Sequence, residues 1–403
     1  MHRTTIVQLP AVTGSSTYKP ALDGLRGAAI LGVLVFHTGQ LPGGFLGVDL
    51  FFVLSGYLIT GLLLREVAST GRVSLVAFWG RRARRLMPAL VTMLVVVTLV
   101  VWASASADLV RSTLADGPWV QAQVMNWHLL AESASYWDRF GAERVFEHLW
   151  SIAVEEQFYV VWPLVVLLVA RRGRSTVAVV SWIAVGVSAA SLVLMIALAD
   201  PADPTRVYIG TDTRAFSLLL GAVVAAEPVR HAIVRLVGRA AGVVAAALAI
   251  GIAATWVLVS GVEAPFLFAG GLFVHSAAAA VLIALCAEAP GLRVARAFSW
   301  RPLRYVGLVS YSVYLWHWPV IVLLAEAAPD LSGWVLTAAV TSVSVAVAVA
   351  SKHLVEDPIR FRMPWLRGRV GFAVFVGAMI GLVALWLLLP GPAPVLIDVT
   401  QLE

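Results

Sequence analysis

The first long apolar stretch of the chain carries two ionisable residues, Arg26 and His37, where lipid-facing side chains would be expected. They stand eleven positions apart, so on a helix they fall within about 20° of one face and about 16 Å apart along the axis. Charged groups inside a membrane span are costly and default to functional candidates. An imidazole is suited to general-base work because it titrates near neutral pH; the alternative is a histidine satisfied by hydrogen bonds between helices. Asp49 opens the next apolar run beyond a short loop at 41–45, at a depth comparable to His37. Its carboxylate could orient the imidazole and stabilise its charged form, or pair with an arginine such as Arg214 for purely structural reasons. Farther along, Ser151, Glu155, Tyr159 and Trp162 share one helical face, with Glu156 beside them. That face suits a polar cavity that hydrogen-bonds an acceptor hydroxyl, or an interhelical polar clamp.

Other groups fit around this set. The run Arg81, Arg82, Arg84, Arg85 is either a topology and headgroup signal or a phosphate site, since guanidinium forks match phosphate oxygens. A coenzyme A thioester carries several phosphates on a flexible arm. With its head at this run and at Arg26, its thioester could reach along the first helix toward His37. Tyr208 reads as an exposed outer hydroxyl that could carry an acyl group or serve as an interfacial anchor, and Asp212 and Arg214 as a local pair. His317, between Trp316 and Trp318 and before Pro319, is a rival catalytic histidine or a structural cap; Tyr311 precedes it on the same run. The polar segment from Glu356 to Arg362, with Arg360, could help hold the donor. Metal-ligand spacing, a phosphate-loop glycine pattern and a G-x-S-x-G elbow are not found, so no metal is expected.

The elements that would position these residues are membrane helices. Of 403 residues, 60% are hydrophobic and only 13% charged, with mean hydropathy +0.88, against about 25% charged in soluble domains. Spans of about 20 apolar residues are expected near 24–40, 46–64, 88–106, 149–170, 176–198, 213–227, 241–259, 266–287, 305–326, 333–355 and 370–390. The segment 118–130 is apolar but short and broken by Gln121, Gln123, Asn126 and His128, which suggests an interfacial piece within the loop 107–148. The fold class is therefore an all-α polytopic bundle of about eleven helices. With the N-terminus cytoplasmic, 24 of the 29 lysines and arginines fall on the inner side, which satisfies the positive-inside rule and puts the C-terminus outside. The net charge of +6 is thus topological, and no nucleic-acid partner is implied. The single cysteine, Cys286, excludes an internal disulfide. Polar residues 1–20 and the lack of a small-residue cleavage site point to an uncleaved signal anchor. The absence of internal repeats weighs against a transporter built from inverted halves, although a proton-coupled transporter or flippase, with a relay through His37, Asp49, Glu155 and Glu156, stays open as the rival class.

In order, these residues form a pattern. It starts with Leu22-Asp23-Gly24-Leu25-Arg26-Gly27 and His37, then Gly47-Val48-Asp49-Leu50-Phe51-Phe52-Val53-Leu54-Ser55-Gly56, then Arg81 to Pro88. It continues with Trp150-Ser151 and Glu155-Glu156-Gln157-Phe158-Tyr159, Asp212-Thr213-Arg214, Ser310-Tyr311 with Tyr314 to Pro319, and Glu356, Pro358 and Arg360. Over residues 20–362 or so the chain resembles the membrane acyltransferase-3 family, which O-acylates cell-envelope glycans and related acceptors. The resemblance implies a bacterial cytoplasmic-membrane enzyme with an acyl-CoA donor on the inner side, acetyl-CoA being the commonest type. It implies a hydroxyl acceptor outside and essential roles for Arg26 and His37. The expected organisation is a tail at 1–20, the acyltransferase domain at 21–362, an additional helix at 363–390 and a short external tail at 391–403. Many relatives with that extra helix continue into an SGNH hydrolase-like domain, so a separate or missing SGNH-type partner is expected.

Overall fold

The computed structural model describes residues 18–133, 135–137, 144–173, 175–261, 264–363, 365–366 and 368–392. The expected tails therefore lie mostly outside the described residues. Among those described, the chain is all-helical with no strand. In order come α1 (Pro20–His37), α2 (Gly47–Thr70), α3 (Leu75–Ser104), and the short pair α4 (Ala107–Gln121) and α5 (Met125–Ala131). Next are α6 (Trp150–Ala170), α7 (Thr176–Leu198), α8 (Thr205–Ile209), α9 (Thr211–Ala225), α10 (Glu227–Val237) and α11 (Ala241–Leu258). The last are α12 (Gly271–Glu288), α13 (Arg293–Phe298), α14 (Arg301–Ala327), α15 (Gly333–Ser351) and α16 (Gly368–Leu388).

Among the described residues, ten helical stretches are long and apolar enough to cross a membrane. The expected span at 213–227 differs: α9 has only 15 residues, about 22 Å of helix against a hydrocarbon core of about 30 Å. Ten of its residues are buried, so most of its surface meets protein rather than lipid, and the apolar length that lipid demands is relaxed. α4 and α5 cover the interrupted segment in the expected loop, and neither is a candidate span. The arginine run stands on the same helix as the following apolar run, because α3 continues back through Pro88 to a start capped by Ser74.

Two parallel, glycine-lined helix pairs position the polar residues. α1 runs alongside α14, and a Cβ on Gly307 would lie 1.8 Å from the Asp23 carbonyl oxygen. Only glycine permits that approach, and the parallel register carries His37 to the level of His317. α2 runs alongside α9 in the same way, with a Cβ on Gly221 falling 2.0 Å from the Val53 carbonyl oxygen. At the start of that pair, Arg214 Nη2 donates to Asp49 Oδ1 at 2.7 Å, and both side chains are fully buried. Ser217 and Ser276 hydroxyls donate to the same oxygen at 3.0 and 3.2 Å, which ties α12 to the clasp.

Breaking one side of such a pair leaves an uncompensated buried charge, at a cost of about 3–5 kcal/mol, whereas an apolar replacement of both is often neutral. Arg214→Met alone is therefore expected to lower the thermal unfolding midpoint in detergent sharply, and Asp49→Leu combined with Arg214→Met to recover most of it. Equal loss in the single and double variants would show that the pair is not what clasps α2 to α9.

Candidate active site

At the end of the bundle where α1 begins, a cavity of about 70 Å³ opens between α1, α2, α3, α6 and α14. Its basic lining is Arg26 from α1 and Arg82 and Arg85 from α3. The spacing explains the selection: positions 85 and 86 each lie one helical turn beyond position 82 on one face, and all three line the cavity. Arg81 and Arg84 do not line it; Arg81 pairs instead with Glu66 at 3.3 Å. The Arg82 guanidinium sits 4.1 Å from the centre of the Tyr159 ring. Glu155 accepts from Ser55 Oγ at 2.6 Å and from the Tyr159 hydroxyl at 3.3 Å. Three arginines thus face one carboxylate. Arg26 Nε, Arg82 Nε and Ser310 Oγ are buried without a protein partner. Buried donors are seldom left so, and a set of cationic donors around a cavity suits an anionic ligand.

Glu156, adjacent to Glu155, is half-buried and does not line the cavity. Tyr311 does line it, with its hydroxyl donating to the Leu86 carbonyl at 3.1 Å. Arg360 is exposed and stacks on Phe361 at 4.6 Å. The polar segment around it is tied to the bundle by the Ser312 hydroxyl, which donates to Glu356.

The cavity's other end is closed by Phe52, Ser151 and Tyr314. Ser151 Oγ and the Tyr314 hydroxyl share a 2.6 Å hydrogen bond, and Tyr314 also donates to the His148 carbonyl at 2.8 Å. Directly beyond stand the histidines. The Tyr314 backbone oxygen is 2.7 Å from His317 Nδ1. His317 Nε2 is 3.0 Å from His37 Nδ1, and His37 Nε2 is 3.4 Å from the Tyr136 hydroxyl. Trp318 packs its ring 4.9 Å from that of His37, and the His148 ring lies edge-on to His317 at 5.4 Å. Cavity and histidines are therefore joined through one residue of α14, Tyr314, whose hydroxyl lines the former and whose carbonyl holds the latter.

Three readings from sequence change here. Asp49 does not hydrogen-bond His37; its bonds go to Arg214, Ser217 and Ser276, and the ring of His37 meets His317 instead. Matching depth was not enough, because the α2–α9 packing turns Asp49 away from α1. Asp212 and Arg214 are not a local pair: Asp212 takes both guanidinium nitrogens of Arg206, at 3.0 and 2.7 Å. Tyr208 is not exposed. It is fully buried, with ring centroids of Tyr136, Trp137 and Trp150 within 5.2, 4.9 and 4.9 Å, and its hydroxyl has no protein partner. Sequence reasoning gave no role to Tyr136 or His148. His148 directly precedes the Leu149-Trp150-Ser151 stretch, and that adjacency was the available signal. Tyr136 sits in an irregular loop, where no periodicity points to it.

A family profile described as an acyltransferase domain matches residues 19–353. The chain belongs to the acyltransferase-3 family. It is similar to the putative peptidoglycan O-acetyltransferase YrhL of Bacillus subtilis, 39% identical over 85% of this chain and 55% of that protein. The peptidoglycan O-acetyltransferase OatA of Listeria monocytogenes is 36% identical over 86% of this chain and 56% of its own length. The O-acetyltransferase OatA of Staphylococcus aureus is 34% identical over 86% and 58%. The chain thus spans a little over half the length of these curated relatives. No solved structure matches. The family region takes in α1 to α15 and all the cavity and histidine residues, so this family member is a multi-pass membrane protein whose polar groups are gathered within the shared region.

At the end of the bundle where α1 finishes, α4 and α5 bring together Asp116, His128 and Glu132. Their ligand-type atoms lie within 4.8 Å of one another, a grouping that the sequence spacing does not suggest. Arg144 supplies a positive charge among them, donating to Asp116 at 2.7 Å and to Glu132. Burial pushes the Asp116 carboxyl up to about 6, against the opposing pull of Arg144 and His128. An unfolded chain would release that proton near 3.8. Between these values the folded state holds more protons than the unfolded, so stability falls as pH rises. The change is on the order of 3 kcal/mol, at about 1.4 kcal/mol per pH unit. Unfolding midpoints measured from pH 4 to pH 6 are expected to fall in the parent and to flatten in Asp116→Asn. An unchanged slope in the variant would assign the pH dependence elsewhere.

Proposed function

We propose that this domain transfers an acyl group, acetyl first among candidates, from acyl-CoA to a hydroxyl of a cell-envelope glycan across the bacterial cytoplasmic membrane. The supporting observation is the continuity between a cavity with unpaired cationic donors and a histidine pair one helical turn farther along α14. The activities named for the relatives, peptidoglycan O-acetylation among them, support an acetyl donor and a glycan acceptor. In this reading Arg26, Arg82 and Arg85 receive the phosphates at the basic end. The cavity is too small for the whole donor, so it takes the thioester arm while the nucleotide stays at the rim. Arg81, Arg84 and Arg360 belong to that rim, where exposed charges attract the donor.

His37 is the base. Its Nε2 removes the proton of an attacking hydroxyl, and the oxygen adds to the thioester carbonyl carbon. The tetrahedral adduct collapses with cleavage of the carbon–sulfur bond, and the thiolate takes the proton back from the imidazolium. The attacking group is the acceptor itself or a tyrosine that hands the acyl group on; Tyr136, whose hydroxyl faces Nε2, then precedes the buried Tyr208 as candidate. Ser151, Glu155, Glu156, Tyr159 and Tyr311 shape and charge the path, while Asp212, through Arg206, and Arg214, through Asp49, hold its walls. A partner domain of the SGNH type would complete delivery to the glycan. The rival proton-relay transporter loses its chain of carriers, because Asp49 is bound to Arg214 rather than to His37.

Release of thiol from acetyl-CoA by the purified protein tests this assignment. His37→Ala is expected to lower kcat by about 10²–10⁴-fold with KM for acetyl-CoA little changed. Arg82→Ala is expected to raise that KM by about tenfold, on the basis of one lost charge-assisted contact. A His37→Ala protein that turns over at the parental rate would overturn the reading.

A further inference from the structure

The His37 imidazole has two nitrogens, and only one of them can face the reacting hydroxyl. Which one carries the proton is fixed by what the other touches. Asp49 is bonded elsewhere, so the groups that could set this tautomer are the Val33 carbonyl one turn back on α1 and His317 on α14, the one of the two that a side-chain substitution can remove.

The hydrogen-bond chain assigns the protons. A backbone carbonyl can only accept, so His317 Nδ1, 2.7 Å from the Tyr314 oxygen, is the nitrogen that bears hydrogen. In neutral His317 the lone pair is then on Nε2. That nitrogen is 3.0 Å from His37 Nδ1, which must therefore be the donor, leaving the lone pair of neutral His37 on Nε2. His148 suits neither role, because its Nε2 faces the Leu315 carbonyl at 3.3 Å and its Nδ1 is buried without a partner. His317 is fully buried and carried by α14, and the glycine-lined contact of that helix with α1 sets the distance between the two rings.

From this geometry we infer that His317 is a positioning residue: it holds His37 in the tautomer whose Nε2 accepts the proton of the attacking hydroxyl. The inference rests on His37 being the base of the transfer reaction. His317 takes up no proton itself during the reaction; it offers a fixed acceptor to Nδ1–H, anchored by its own bond to Tyr314. This role needs an acceptor at one position in space and does not need an ionisable ring.

Two amide substitutions separate this role from its rivals. The glutamine amide oxygen sits as many bonds from Cβ as Nε2 of histidine, whereas the asparagine amide reaches only to the level of Nδ1. His317→Gln keeps an acceptor for His37 and is expected to retain kcat within about tenfold. His317→Asn keeps only the bond to Tyr314 and is expected to lose about 10²–10⁴-fold in kcat, as for a base held in the wrong tautomer. KM for acetyl-CoA should be little changed in both, with unfolding midpoints in detergent close to the parent. Loss of activity in both variants would make His317 a proton carrier, and retention in both would leave it no role; either result overturns the inference. A readout independent of turnover is ¹⁵N NMR of histidine-labelled protein, with the His37 signals identified by their absence in His37→Asn. The parent is expected to show His37 Nε2 unprotonated, and His317→Asn to lose that preference. A protonated Nε2 in the parent overturns the inference even if the transfer assay itself fails and takes the proposed function with it.

Discussion

In lipid no water stands ready to satisfy a buried charge, and each polar side chain must find its partner within the protein. The Asp49–Arg214 pair is where that constraint is most severe, with both groups fully buried and meeting at 2.7 Å. It fixes α2 against α9, draws in α12 through Ser276 and commits Asp49 to a structural role. The His37 ring meets another imidazole instead, on the helix that runs parallel to α1. The arrangement of the candidate site follows from that allocation of partners.

Unpartnered polar atoms stand at both places. Asp49 Oδ1 takes three bonds, from α9 and α12, whereas Asp49 Oδ2, Arg214 Nε and Arg214 Nη1 have no protein partner; there the two opposite charges answer each other. Around the cavity Arg26 Nε, Arg82 Nε and Ser310 Oγ also have none, and the three arginines there face a single carboxylate. A membrane protein leaves donors unsatisfied at a cost of about 1–3 kcal/mol each, a cost a bound anion would remove. The Tyr314 side chain divides this receptive region from the histidines, and its hydroxyl is held by Ser151 on one side and the His148 carbonyl on the other.

Much of this was legible in the sequence. Apolar run length located the ten helical stretches that, among the described residues, are long and apolar enough to cross a membrane, and the Arg26–His37 spacing placed both residues on one helix, one at each end of the candidate path. The run at Arg81 to Arg85 marked the basic end, although the run alone does not say which members face inward; helical phase on α3 admits Arg82 and Arg85 and excludes Arg81 and Arg84. What could not be read were the contacts that depend on which helices pair. Asp49 and His317 both lay at plausible depth for His37, and only the rotation of α2 toward α9 decides between them. Tyr208 looked exposed because it follows a polar loop, yet that loop folds inward under Tyr136 and Trp137.

The proposed transfer is directional: donor at the Arg26 end, acceptor at the His37 end. Sealed proteoliposomes with the protein inserted in one orientation, established by protease access to the Arg81 side, test it most directly. With labelled acetyl-CoA confined to one compartment and a soluble peptidoglycan fragment to the other, donor consumption and acetylated sugar are followed separately. Thiol release is expected only with acetyl-CoA on the Arg81 side, and label on sugar, with an SGNH-type domain supplied in the acceptor compartment, only across the membrane. Consumption of acetyl-CoA from the His37 side, or acetylated sugar in the donor compartment, would contradict the claim.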